Sequence, residues 1–176
     1  MKLFKHLKTV HKHRKEVRKL CFKCGLYKQG LIHDLSKYSP TELIPSVKYW
    51  TGTRSPIDNE IDDIGYSEAW LHHKGRNKHH YEYWQDYTHG GPDGILCRIP
   101  YKYVAEMFCD RVAACKIYQG DKYTEESPWI YFKEHFNKKD VHPRTYVELF
   151  SLLWLLKLKG EDYVCKYIKK KLKERK

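Results

Sequence analysis

A chain of 176 residues, 41% hydrophobic and 32% charged, is long enough to bury one proper core and leaves little room for a second domain. Met1–Lys15 is too charged to hold the apolar centre of a signal peptide, and no run approaches the roughly 18 apolar residues of a membrane span, so a cytoplasmic protein is expected. The formal charge of +12 belongs to the ends: residues 1–23 carry nine Lys/Arg against Glu16, residues 166–176 carry seven against Glu174, and residues 24–165 hold eighteen against twenty Asp/Glu, which argues against a basic nucleic-acid-binding body.

Apolar residues recur at three and four along most of the chain, which predicts an all-α protein. Leu3, Leu7, Val10, Val17, Leu20 and Cys24 mark one face of a first helix that Gly25 can end, and His13 falls on that face. A short connection or helical turn from Tyr27 leads to His33-Asp34. Ser39-Pro40-Thr41-Glu42 then has the form of a capping box with Pro at the first helical position, opening a helix through about Trp50. Residues 51–66 contain Gly52, Pro56, Gly65 and the run Asp58-Asn59-Glu60-Ile61-Asp62-Asp63, and read as a long loop whose acids do not match a calcium-loop spacing.

Ser67 can cap a helix running through the histidine cluster, and Tyr81, Tyr83, Trp84 and Tyr87 follow as an aromatic strip best read as core packing. His89-Gly90-Gly91-Pro92-Asp93-Gly94 breaks the chain. Pro100 opens a helix in which Tyr103, Met107, Ala114 and Ile117 keep the core period with Asp110 among them. Ser127-Pro128 and His142-Pro143 begin two more helices. Gly160 separates residues 1–160 from a basic terminal helix, 161–176, with Val164, Tyr167, Ile168 and Leu172 on one side. No repeat is present.

Six cysteines in an intracellular chain point to reduced thiols; Cys21 and Cys24 form a C-x-x-C, but Cys97, Cys109, Cys115 and Cys165 supply no second close pair for a closed zinc site. The chemistry lies elsewhere. An Asp or His on an apolar helical face is costly to bury unless it is paired, hydrogen-bonded or bound to metal, and Asp110 and His13 both break core periodicity in this way. With His33-Asp34 and the cluster His72, His73, His79, His80, they make an imidazole and carboxylate set that suits one or two divalent transition ions: iron, manganese, zinc, cobalt or nickel.

The order His13, His33-Asp34, clustered histidines, Asp110 resembles the HD-domain superfamily of metal-dependent phosphohydrolases. His13-Arg14-Lys15-Glu16-Val17 is similar to its first-helix H-x-x-x-V and His33-Asp34-Leu35-Ser36-Lys37 to its H-D-x-x-K. Gly65 to His73, running into Asn77-Lys78-His79-His80, and Cys109-Asp110-Arg111 resemble an uncharacterised bacterial and phage family of unknown function. The likeness spans roughly residues 5–160. It implies a single-domain HD-like helical bundle with a metal site in its core, held by His13, His33, Asp34, His73, His79, His80 and Asp110, with His72 behind them. The chain departs from better-known relatives in lacking Gly-Tyr-Pro after the histidines, which argues against the cyclic-dinucleotide branch, and in the compact spacing from His13 to His33.

On this reading Asp34 bridges the metal site, and Lys37 meets a phosphate oxygen or is a salt-bridging surface lysine. Arg76 and Lys78 hold an anionic substrate or belong to a solvated loop. Glu42 supports a ligand histidine or, better, caps Ser39; Glu68 is the other candidate support. The expected function is a metal-dependent phosphohydrolase acting on a small phosphorylated metabolite, a nucleotide first among them, by metal-activated water. A di-iron oxygenase could use the same donors. A non-catalytic metal- or ligand-binding regulator, its basic ends contacting nucleic acid, is the third reading.

Overall fold

The computed structural model describes residues 2–87 and 94–175. Within them the chain forms α1 (Lys2–Lys23), α2 (Tyr27–Ile32), α3 (Pro40–Lys48), α4 (Pro56–Ile64), α5 (Glu68–Arg76), α6 (Tyr101–Gln119), α7 (Ser127–His135), α8 (Pro143–Lys159) and α9 (Glu161–Glu174). The only sheet among these residues is a ribbon of two short antiparallel strands, β1 (Gln85–Asp86) and β2 (Ile95–Leu96), with Gln85 opposite Leu96. The all-α expectation holds. No helix among the described residues is long and apolar enough to cross a membrane.

Helix punctuation accounts for most boundaries. Proline opens α3, α4, α7 and α8, where its missing N–H costs nothing. Ser67 Oγ accepts from Trp70 N at 3.0 Å and caps α5.

Two expectations fail here. Residues 51–66 are not one long loop, because α4 occupies Pro56–Ile64. Its acidic run is helical: Arg54 pairs with Asp58 and Asp62, Asp58 complements the first turn, and the buried Glu60 accepts from the Ser67 hydroxyl. Gly65, at φ +84°, closes it. The helix after Ser67 also stops short of the whole cluster, at Arg76, and His79 and His80 lie in the turn before a 3-10 helix over Tyr81–Trp84. Of the aromatic strip, Tyr81 and Trp84 pack on the core, whereas Tyr83 and Tyr87 are exposed. The break expected over His89–Gly94 lies, apart from Gly94, outside the described residues.

Helix α6 is the organising element. Val104, Ala105, Phe108, Cys109, Val112 and Ala113 are fully buried on it, and it packs against α1, α7, α8 and α9. A helix apolar on nearly every side belongs inside a bundle. One side meets Val17 and Leu20 of α1 and Leu149, Leu153 and Leu156 of α8 in the core, while Met107 and Asp110 line a cavity on another. Trp129, Phe132, Phe136, Tyr146 and Phe150 form an aromatic cluster between α7 and α8, and Tyr81 meets Phe136 edge-on at 5.2 Å, tying the histidine segment to this layer.

Helices α1 and α9 are neighbours, so the two basic ends of the sequence adjoin. Glu161, at the start of α9, pairs with Lys23 of α1 and Lys116 of α6, and Lys116 also meets Glu16 at 3.0 Å. The apolar side of α9, Val164 and Ile168, is buried. Among the described residues all six cysteines are free, and Cys24 and Cys109 approach to 3.8 Å within the core.

The α8–α9 corner depends on Gly160, whose φ of +82° and ψ of +166° suit glycine alone. A Cβ there would sit 3.2 Å from Glu125 Oε2, and Glu125 Oε1 accepts from Glu161 N at 2.9 Å to cap α9. Gly160→Ala should therefore lower unfolding free energy by about 1–3 kcal/mol with an unchanged denaturant slope. Unaltered stability in urea titration would show that the corner is not strained.

Candidate metal centre

Four separate segments carry the candidate residues inward. α1 presents His13. After α2 the chain turns at His33, and Asp34 adopts φ +52°, ψ +30°, the only left-handed non-glycine residue among those described. Aspartate tolerates this conformation better than most side chains, yet it is strained, and such strain concentrates at functional sites. Arg14 clamps the turn: its Nε donates to the His33 carbonyl at 2.8 Å, Nη2 to the Leu31 carbonyl at 3.3 Å and Nη1 to the Tyr38 hydroxyl at 3.1 Å. Asn77 Nδ2 donates to Ser36 Oγ and to the His73 carbonyl, both at 2.8 Å, joining the end of α5 to the 3-10 helix Leu35–Tyr38. α6 adds Glu106 and, one turn on, Asp110.

The result is a cluster built on the Asp34 carboxylate. Its Oδ1 lies 3.3 Å from His73 Nε2 and 3.4 Å from His79 Nε2; its Oδ2 lies 3.4 Å from His33 Nε2 and 2.7 Å from Lys37 Nζ. Asp110 Oδ1 is 2.8 Å from His13 Nε2 and 3.4 Å from His33 Nε2. Donor atoms of Asp34, His73, His79 and His80 lie within 4.8 Å of one another, and so do those of His13, His33 and Asp110.

Two donors about 2.0–2.2 Å from one ion, at tetrahedral or octahedral angles, stand about 3.0–3.5 Å apart. Most of these separations fall in that range, longer than a hydrogen bond and shorter than an indifferent contact. His33 Nε2, Asp34 Oδ1, His79 Nε2 and His80 Nε2 are moreover buried without a hydrogen-bond partner among the described residues. Four such atoms gathered around the Asp34 carboxylate fit one or two cations, since each would otherwise bear its full desolvation cost.

The imidazoles are held from behind. Glu106 Oε1 takes His33 Nδ1 at 3.0 Å and lies 3.3 Å from His79 Nδ1, while Glu42 Oε2 takes His73 Nδ1 at 2.7 Å. A carboxylate on Nδ1 fixes the tautomer that leaves the Nε2 lone pair for a metal. His33, His79 and Glu106 are themselves close enough to suggest a third metal position. Their contacts run through Nδ1 at hydrogen-bonding distance, so Glu106 is better read as their common support.

Electrostatics agree with a cation-loving pocket. Burial opposes charge on Asp34 and Asp110, but the surrounding imidazoles, with Lys37 beside Asp34, outweigh it and hold both carboxyls well below the ordinary range. Burial likewise works against protonation of His33 and His73, yet nearby carboxylates raise both. His80 differs: burial, then the imidazoles of His79 and His73, push its pKa well down and keep it neutral.

Other sequence-predicted residues fall in varied places. Glu42 is buried and serves His73 and also His72, whose Nδ1 lies 2.6 Å from Oε1; the expected capping box does not form, as Ser39 makes no side-chain cap bond. His72 thus stands beside the cluster rather than in it. Glu68 is exposed, with the Tyr66 hydroxyl at 3.5 Å, and among the described residues it supports no histidine. Arg76 and Lys78 are also exposed and line neither cavity beside the cluster; the Lys78 ammonium lies over the Tyr83 ring. α5 ends at Arg76, and the turn that brings His79 in leaves its neighbours outside. Lys37 lines one of the cavities with its ammonium on Asp34. Glu106 is the functional residue outside the sequence-predicted set, although an acid four residues before Asp110 on an apolar helix is the same signal as Asp110 itself.

Two cavities open on the cluster. One, about 360 Å³, is mainly apolar, with the rings of Trp70, Tyr81, Tyr118 and Tyr131 in its walls, and reaches His79, His80 and Asp110; the other, about 260 Å³, is more polar and reaches His13, Lys37 and Asp110. Both touch Ala114 and Tyr118.

The chain belongs to the family of unknown function DUF5662, which matches residues 2–153. No curated protein and no solved structure matches it.

If Glu106 orients two ligands at once, Glu106→Gln should weaken transition-metal binding about 10- to 100-fold, measured by chelator competition, with the helical circular dichroism spectrum retained. Unchanged affinity would remove Glu106 from the centre.

Proposed function

We propose that this protein is a metal-dependent phosphohydrolase acting on a small organic phosphate, with nucleotides the first substrates to test. The observation that carries the proposal is the set of buried, unpartnered donor atoms converging around Asp34, their imidazoles backed by Glu42 and Glu106. The order of His13, His33-Asp34, the clustered histidines and Asp110 along the chain, which resembles the HD-domain phosphohydrolases, supports phosphoryl chemistry in particular.

His13, His33 and Asp110 would hold one ion and His73, His79 and His80 another, with Asp34 facing both groups. A divalent transition ion bound there supplies Lewis acidity and lowers the pKa of water. The remaining roles belong to the chain's own side chains. Asp34 and Asp110 provide negative charge that imidazole alone would not, and Glu106 and Glu42 keep three imidazoles in register. Lys37, paired with Asp34 at 2.7 Å in the wall of the polar cavity, offers an ammonium to a phosphoryl oxygen arriving from that side. Its charge is secure: burial acts against it, but Asp34 and Asp110 keep its pKa raised.

Metal-reconstituted protein should release phosphate from at least one member of a panel of nucleoside mono-, di- and triphosphates and simple phosphomonoesters. Asp34→Ala should abolish release, and Lys37→Met should lower kcat about 10²- to 10³-fold with metal content unchanged. No phosphate release from any phosphoester by metal-replete protein would overturn the proposal. Dioxygen uptake by the ferrous protein in the same circumstances would assign an oxygenase.

A further inference from the structure

The aromatic cavity holds two buried polar atoms that the metal cluster does not use. Arg111 lines it, one residue beyond Asp110. Its Nε is shielded from solvent with no hydrogen-bond partner, and no carboxylate lies within ion-pairing distance among the described residues. Its guanidinium instead rests over the Phe136 ring, 4.7 Å from the centroid. Glu82, on the 3-10 helix after the histidines, lines the same cavity, and its Oε2 is likewise buried and unpartnered.

The two groups feel each other's charge but make no contact ion pair among the described residues. An unpaired donor of positive charge and an unpaired acceptor in one cavity each bear a desolvation cost that a ligand would relieve. The other walls indicate the ligand's body: Trp70, Tyr81, Met107 and Tyr131 present rings and a thioether, surfaces that hold a flat apolar group. A cavity of about 360 Å³ suits a molecule of one or two rings.

We infer that this cavity is a binding pocket for a planar organic anion, in which Arg111 takes the anionic group, the aromatic walls hold the ring and Glu82 accepts from an N–H or O–H on its edge. A guanidinium stacked on an aromatic face is preorganised for bidentate recognition of phosphate or carboxylate. The pocket opens on His79, His80 and Asp110, which brings the ligand beside the metal centre. The inference does not depend on hydrolysis, since the same pocket would select the ligand of an oxygenase or a regulator.

The test is equilibrium binding without turnover, by calorimetry on protein of verified metal content. Phenyl phosphate, benzoate and 4-aminobenzoate are the anionic probes, with benzamide as the neutral control. Wild-type protein should bind the ring anions more tightly than benzamide, and the preference between phenyl phosphate and benzoate tells a phosphate from a carboxylate ligand. Arg111→Met should lose at least tenfold in affinity for the anions with benzamide binding unchanged, and Glu82→Gln should reduce the advantage of 4-aminobenzoate over benzoate. Because the Arg111 Nε is buried with no hydrogen-bond partner among the described residues, Arg111→Met should also match or exceed the wild-type Tm in the absence of ligand, whereas a structural arginine would leave a less stable protein. Equal anion affinity in wild type and Arg111→Met at equal metal content, or no binding of any ring anion by the wild type, would overturn the inference. Neither readout needs phosphate release, so failure of the pocket and failure of the hydrolase reading are told apart.

Discussion

A carboxylate buried among imidazoles sets the terms for everything around it. Asp34 has almost no access to solvent, faces three imidazole Nε2 atoms at 3.3–3.4 Å and sits in a left-handed backbone conformation. Each of these is unfavourable alone. Together they hold only because the turn is clamped from α1 by Arg14, the imidazoles are braced from behind by Glu42 and Glu106, and α5 is anchored by Asn77. Four segments far apart in sequence are thereby committed to one point.

Such a cluster weakens the fold that carries it, so the rest of the molecule must supply the cohesion. α6 divides the labour. Cys109, beside Asp110 in sequence, joins Phe108 and Val112 in the apolar core made with α1 and α8, while Glu106 and Asp110 serve the cluster. The aromatic layer of α7 and α8 braces the histidine segment through Tyr81 and Phe136. Among the described residues, six of the ten orphaned buried side-chain atoms lie in the cluster and its neighbouring cavity, a concentration that suits a ligand-binding region better than a packing fault.

Much of this is legible in the sequence. His13 and Asp110 announce themselves because a polar side chain on an apolar helical period is expensive and needs a reason. Glu106 carries the same signal, but its support role is visible only in the fold, where His33 and His79 share it. Glu42 illustrates a different difficulty: Ser-Pro-Thr-Glu is a local capping pattern, and sequence alone cannot show that a partner thirty residues away outcompetes the cap. Arg76 and Lys78 show the limit of proximity along the chain, since a helix end and a turn separate them from His79 in space. The helix over Pro56–Ile64 was hidden by its acidic run, although Pro56, Gly65 and the spacing of Ile57, Ile61 and Ile64 are helix signals. Arg111 is not legible in the sequence, because what marks it is a buried Nε with no hydrogen-bond partner among the described residues, which only the fold reveals.

The central claim is that imidazole and carboxylate around Asp34 hold a transition metal, and X-ray absorption at the metal edge of the purified, tag-free protein tests it most directly. The account predicts stoichiometric metal with a first shell of nitrogen and oxygen only, the multiple-scattering signature of several imidazoles, and loss of that signal in Asp34→Ala. A shell containing sulfur, which would place the metal among the core cysteines, or wild-type protein that retains no stoichiometric metal after loading, would contradict it.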